Sequence, residues 1–216
     1  MSNIVFAHNV YNRLKTLKET ILVEKKYFPD SYISVACNDV FINIFYDITN
    51  FSVIRFNEAE HKIGCVNGNI LSIKQLLHRD FDVIIFSHDD VRINEQYFNV
   101  VNDHINSIVE KKFDVICRKP LNGYGDNYYL MEVFYMSKEA AIKIFSKLNT
   151  IKNESEIPLD IRGSFSPEVF LFQNIIKHDL KINEIKYFHS DNDYNEILGK
   201  TMGYEHLNAG YRGWID

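Results

Sequence analysis

Residues 82–90 read DVIIFSHDD. Val83, Ile84, Ile85 and Phe86 are apolar on both parities, which suits a strand covered on both faces at the centre of a parallel sheet. Ser87, His88, Asp89 and Asp90 follow at once. Two adjacent carboxylates there contribute nothing to packing. At an effective dielectric of 20, like charges ~4 Å apart repel by about 4 kcal/mol, against about 1 kcal/mol in bulk water. Such a pair needs solvent, a proton or a cation, and Mg²⁺ or Mn²⁺ is the hard, oxygen-seeking kind. A solvated turn or a helix cap is the plainer reading of the same residues.

Outward from this segment, strands and helices alternate. Residues 3–7 form a short apolar strand, followed by a helix with Leu14, Leu17, Ile21 and Phe28 on one stripe, ended by Pro29 and Asp30. Strands are expected at residues 32–37 (YISVAC) and 51–56 (FSVIRF), and a helix between residues 62 and 78 carrying Ile70, Ile73, Leu76 and Leu77. Beyond residue 90, Phe98, Val101, Ile105, Ile108 and Val109 mark an amphipathic helix. Strands at 114–118 and 128–136 come next, then a helix over 137–148 with Ser137 as N-cap. The polar stretch 149–165 reads as a lid or a disordered loop. A helix from Ser166-Pro167-Glu168 and a strand over 181–187 complete the pattern. The alternation predicts an α/β fold, a mostly parallel central sheet with helices on both faces, over residues 1–190. Residues 191–216 show no clear periodicity and read as an irregular tail that packs on or caps the site. Ligands of such sheets bind outside the carboxyl ends of the strands.

The 216 residues suffice for one such core. A net charge of −5 excludes a broad basic surface for nucleic acid. Cys37, Cys65 and Cys117 are widely spaced, which favours reduced thiols over disulfides or zinc. Residues 4–6 enter a strand directly, with no leader pattern before them, and no apolar run nears the ~20 residues that span a bilayer. The chain is therefore expected to be cytoplasmic, with peripheral contact at the inner membrane face left open.

IIFSHDDV resembles the element of GT-A glycosyltransferases in which a buried strand ends in Asp-x-Asp, binding metal and the ribose or phosphate of the donor. His88 takes the first acidic position and Asp90 the second, with Asp89 between them; His88 departs from the family pattern. FAHNVYNRLKTLKETI (residues 6–21) is similar to the first strand, loop and helix of family-2-like transferases. RFNEAEHKIGCVNGNILSIKQLL (55–77) is similar to the segment before the Asp-x-Asp strand, and SPEVFLFQNIIKHDLKI (166–182) to the later helix whose first acid deprotonates the acceptor.

The resemblance implies a donor site of Ala7, His8, Arg13, Asp39, Lys62, Gly64, Asn67 and Asp89, with Gly68 among the small residues. It implies a metal, Mn²⁺ or Mg²⁺, held by Asp90, His88 and His189. Glu168 would be the catalytic base beside Asp90. Read as residues alone, Ser166, Pro167 and Glu168 are also a favourable helix start. Asp160 and Glu132 are rival bases, and Tyr124, Asp126, Asn127, Tyr211, Arg212 and Trp214 could face sugar or acceptor. The implied reaction is metal-assisted sugar transfer from a nucleoside diphosphate to a hydroxyl of a glycan or lipid-linked saccharide. Two alternatives stand beside it: a non-catalytic nucleotide-sugar-binding module, and a nucleotidyltransferase. The glycine-free loop after the first strand counts against the second.

Overall fold

The computed structural model describes residues 2–10, 13–37, 47–56, 61–121, 129–188 and 193–207. In chain order the elements of the main body are β1 (Ile4–Val10), α1 (Leu14–Tyr27), β2 (Tyr32–Cys37), β3 (Phe51–Arg55), α2 (His61–Lys74) and β4 (Val83–His88). They continue with β5 (Val91–Ile93), α3 (Phe98–Val109), β6 (Val115–Pro120), β7 (Leu130–Ser137) and α4 (Lys138–Phe145). Last come α5 (Pro167–Ile176), β8 (Ile182–Tyr187), α6 (Tyr194–Met202) and β9 (Tyr204–His206).

Seven strands form one sheet in the order β3-β2-β1-β4-β7-β6-β8. β7 runs against both its neighbours, and the other pairings are parallel. The predicted mostly parallel α/β sheet is what forms. Strand order reverses between β1 and β4, since β2 and β3 lie beyond β1 and the later strands beyond β4. A crevice opens at such a switch point, outside the carboxyl ends of the strands. Asn9 and His88 are register partners there.

Alternate residues of the strands feed two cores. Val5, Ala7, Ile84, Phe86 and Phe134 pack with Ile70 of α2, Ile144 of α4 and Leu171 of α5. Phe6, Ile33, Val83, Ile85 and Tyr135 pack with Leu17 and Ile21 of α1, Ile105 of α3 and Leu198 of α6 on the other face. Phe86 stacks on Phe134 with ring centroids 4.8 Å apart, tying β4 to β7. α2 crosses so close to β1 that a Cβ on Gly68 would lie 2.0 Å from Asn9 Oδ1. The close approach lets Asn9 Nδ2 donate to the Cys65 carbonyl at 3.0 Å and to Asn69 Oδ1 at 3.2 Å.

Two sequence expectations change. Stretch 149–165 is tied to the core: Asn67 accepts from Ile151 N at 2.8 Å and donates to its carbonyl at 2.9 Å, and Leu159 bridges Phe165. The tail is not irregular over 193–207, where it forms α6 and β9. Leu198 and Met202, one turn apart, are fully buried, and Gly203 ends the helix at φ 79°. A side chain there would be strained by the left-handed backbone and would meet Val101 Cγ2 at 2.4 Å. β9 pairs antiparallel with β5. Among the described residues no helix is long and apolar enough to cross a membrane.

His104 of α3 gives a pH dependence. Its Nε2–H donates to the Thr201 carbonyl at 2.7 Å, and the ring packs against Tyr135. Burial pulls its pKa below the ordinary value of 6.5, although the Thr201 bond opposes the shift. The unfolded chain therefore takes up this proton more readily than the folded one. The contribution is fully present above pH 6.5 and is lost as pH falls through the lowered folded value. Burial likewise lowers His88 and His61, whereas it raises Glu24, whose contribution is lost as pH rises. The clean readout is thus a difference: melting temperature against pH should fall more steeply below about pH 6.5 in the native protein than in His104→Gln. Parallel curves would contradict it.

Candidate active site

β4 carries the chain to the sheet's carboxyl edge, where His88, Asp89 and Asp90 turn towards β5. The Asp90 carboxylate receives the guanidinium of Arg13, which enters from the residue before α1. The imidazole of His206 lies on its other side, Nε2 3.5 Å from Oδ2. β9 delivers that histidine, fixed by several bonds. Leu207 N donates to the Asp90 carbonyl at 2.8 Å, His206 N donates to Asn195 Oδ1 at 2.7 Å, and Arg92 pairs with Glu205 at 2.6 Å. Asp90 is thus a carboxylate held between a guanidinium and an imidazole, its side chain 13% exposed.

His88 lies beneath. Its ring meets Phe86 edge-on at 5.6 Å, and Nε2 is buried with no hydrogen-bond partner. Burial lowers its pKa, against the pull of Asp90, Glu132 and Glu168, so at neutral pH the imidazole is uncharged and its lone pair is available. Asp89 is largely buried, at 8% exposure. α5 packs against α2 and β7. Ser166 Oγ caps the helix by accepting from Val169 N at 3.3 Å and donates to Glu168 Oε2 at 3.0 Å. Glu168 acts electrostatically on His61 and Cys65 of α2 and on His88 of β4, so its charge is felt on the side of the sheet that carries Asp90. Burial is the main cause that pushes the Cys65 thiol up to about 12, with Glu168, Asp89 and Asp90 adding to it, so this cysteine is no nucleophile at neutral pH.

The comparisons with known proteins bear on this arrangement. No protein-family model matches the chain, and no curated protein does. Solved structures match over most of its length. TarS 1-349 of S. aureus superposes with TM-score 0.54 and 15% identity, over 92% of this chain and 63% of that one. A glycosyltransferase involved in glycosylation of the major capsid of PBCV-1 gives TM-score 0.57 and 10% identity, over 96% and 93%. The mannosyltransferase PcManGT of Pyrobaculum calidifontis, solved with GDP-Man and Mn²⁺, gives 0.53 and 7%, over 87% and 55%. The chain has the GT-A glycosyltransferase fold. It spans less than two thirds of the first and third of these structures, and nearly all of the second.

Within the GT-A fold the sequence-based donor site separates into parts. Arg13, Asp89 and Asp90 share the edge of the crevice. His8 does not, and this corrects the expectation. The strand's alternation turns its ring away from the α2 face, where it is wholly buried: Nε2 lies 2.9 Å from Glu24 Oε2, and Nδ1 lies 3.1 Å from Ser87 Oγ. Ala7 is packed inside the core. Asn67 is occupied by Ile151, and the Gly64 carbonyl accepts from Asn9, so both brace α2 instead of facing a ligand. Lys62 pairs with Glu154 at 3.3 Å and lies over the Phe165 ring. Asp39 and His189 lie outside the described residues, as do Tyr124, Asp126, Asn127, Tyr211, Arg212 and Trp214.

Of the rival bases, Asp160 is spent on its own turn, accepting from Arg162 N at 2.8 Å, Ser164 N at 3.0 Å and the Arg162 guanidinium. Glu132 is held by Arg118 at 3.0 Å and by the Tyr194 hydroxyl. Glu168 keeps one carboxylate oxygen clear of the Ser166 bond. Among the described residues no three His, Cys, Asp or Glu side chains converge as metal ligands. The donors present, one carboxylate and the imidazoles of His88 and His206, fit an ion held by one or two protein groups and completed by substrate oxygens. The orphaned Nε2 of His88 is the observation in favour.

Proposed function

We propose that the chain transfers a sugar from a nucleoside-diphosphate donor to a hydroxyl of a glycan or lipid-linked saccharide. One observation supports this: Asp90 meets Arg13 beyond the end of β4, beside the β1/β4 switch point of a GT-A sheet, and the charge of Glu168 is felt by the neighbouring His88. The diphosphate lies at this edge, where the Arg13 guanidinium offers paired donors to phosphate oxygens. Asp90, with His88 and His206 beside it, would hold Mn²⁺ or Mg²⁺. Such an ion, when bound, offsets the negative charge that builds on the departing diphosphate. Glu168 takes the proton of the acceptor hydroxyl as its oxygen bonds to the anomeric carbon. The bond from that carbon to the diphosphate oxygen breaks, and the nucleoside diphosphate leaves. Ser166 fixes the Glu168 carboxylate for this task. With Glu168 as the base, attack on the face of the anomeric carbon opposite the departing diphosphate would invert its configuration.

The neighbour solved with GDP-Man and Mn²⁺ supports trying a nucleotide sugar and a divalent ion first. We place the reaction on the cytoplasmic side, where nucleotide sugars are made, with the acceptor in solution or at the membrane surface.

Product analysis tests the reading. Incubation with UDP-, GDP-, CMP- and dTDP-sugars plus Mn²⁺ and a saccharide acceptor panel should release a nucleoside diphosphate from one donor class. In a parallel incubation, release of pyrophosphate from a nucleoside triphosphate and a sugar 1-phosphate would instead make the chain a nucleotidyltransferase. Donor binding without turnover on any acceptor would make it a binding module.

A further inference from the structure

Arg118 is the largest fully buried side chain among the described residues, and three of its five N–H donors, on Nε and Nη2, are unused there. It sits on β6, opposite Leu130 of β7, close to the carboxyl edge. Its guanidinium lies over the Tyr187 ring at 4.0 Å, with the Tyr194 ring at 5.3 Å. Nη1 donates to Glu132 Oε2 at 3.0 Å and reaches the Tyr194 hydroxyl at 3.5 Å. Tyr194 in turn donates to the other oxygen of Glu132. Nε and Nη2 have no acceptor among the described residues.

Those two nitrogens are not an arbitrary pair. In a planar guanidinium the Nε–H and one Nη2–H point the same way from one edge, spaced to meet two oxygens of a carboxylate or phosphate. Leaving such donors unmade in a buried place is costly, and the aromatic clamp with the Glu132 bond holds the edge in one orientation. The position connects it to the crevice. Ser87 of β4 faces Val133 of β7, so Glu132 is the next residue along towards His88, on which it acts. Glu132 therefore stands between the donor edge and Arg118. Its side chain is 20% exposed, which brings this buried cluster to the surface at that point.

We propose that the Nε–Nη2 edge of Arg118 is a receptor for a carboxylate or phosphate carried by the acceptor, lying on the far side of Glu132 from the donor. This rests on the transferase reading only for assigning the anion to the acceptor; the receptor itself does not depend on it. Tyr194, from α6, makes the C-terminal helix a wall of this subsite, and Glu132 becomes a positioning residue for Arg118.

The test reads the guanidinium directly. In ¹⁵N-labelled full-length protein, the Arg118 Nε–H resonance is assigned by its loss in Arg118→Lys. It is then followed during titration with sodium acetate and with sodium phosphate, against sodium chloride at matched ionic strength. The receptor predicts a saturable shift with acetate, phosphate or both, absent with chloride and retained in Asp90→Asn. Acetate alone identifies a carboxylate, and phosphate alone a phosphoryl group. Followed instead on the Glu132 backbone amide in the Asp90→Asn background, Arg118→Lys should bind the effective anion about tenfold more weakly, since an ammonium keeps the charge but lacks the fork. No shift with either anion overturns the proposal, as does a shift matched by chloride. The titration of unsubstituted Arg118 decides the matter even if Arg118→Lys folds poorly. Failure here with nucleoside diphosphate release intact would sink the subsite and leave the transferase reading standing.

Discussion

Replacing Asp90 with asparagine is expected to lower sugar transfer about 10²–10³-fold, the scale on which removing one preorganised electrostatic group acts on a developing charge. The side chain sits where the chain gathers its polar groups: Arg13 and His206 contact it, and His88 and Cys65 feel its charge. Asparagine keeps the shape and leaves the Leu207 N bond to the residue 90 carbonyl in place. The lost ion pair with Arg13, whose side chain is 46% exposed, carries about 0–1 kcal/mol of stability. Activity should therefore fall far more than the melting temperature, and a steady-state assay beside a thermal scan separates the two. Equal losses in both would make Asp90 a structural residue.

Glu168→Gln should lower kcat about 10²–10⁴-fold if the carboxylate is the general base, with little change in donor binding. The bland account of this residue, a favourable charge in the first turn of a helix, predicts something else: a stability loss of about 0.3–1 kcal/mol and no kinetic effect. Glutamine still accepts from Ser166 Oγ, so the cap survives. Full activity in the variant would return the role to Glu132. That residue is poorly placed for it, since both its oxygens are engaged.

Much of the fold could be read from the chain because its central strands are short and apolar on both faces. The run at 83–86 marked β4, and the helices on either side showed their stripes. The direction of β7 could not be read. YYLMEVFYM has the same apolar character whether it runs with or against β4, and only the intervening connection decides. The tail was missed because β5 and β9 are three residues each, too short for a period to show. The helix before β9 was within reach: Leu198, Met202 and a following Gly203 are the end of an amphipathic turn and its stop signal.

The site was legible to a similar degree. Asp90 could be found because it follows the buried run at 83–86, and strand ends of such a sheet mark the ligand edge. His8 failed because a strand's neighbours point to opposite faces. A residue next to the ligand edge in sequence can still turn inward, as this one does, to meet Glu24. His206 had no signal in sequence, for its place depends on the β5–β9 pairing. Arg118 reads as one polar residue at the end of a strand, and only the packing of Tyr187 and Tyr194 shows that its charge is enclosed.

The central claim is that Asp90 anchors a cation together with a nucleoside diphosphate at the β1/β4 crevice. Crystals of the native protein soaked with MnCl₂ and the nucleoside diphosphate released in the product assay give the most direct measurement, by anomalous scattering at the manganese edge. A manganese peak is expected within ligating distance of the Asp90 carboxylate, with Arg13 moved off Asp90 onto phosphate, and no peak in Asp90→Asn. A diphosphate bound elsewhere on the chain, or a peak that persists unchanged in Asp90→Asn, would contradict it.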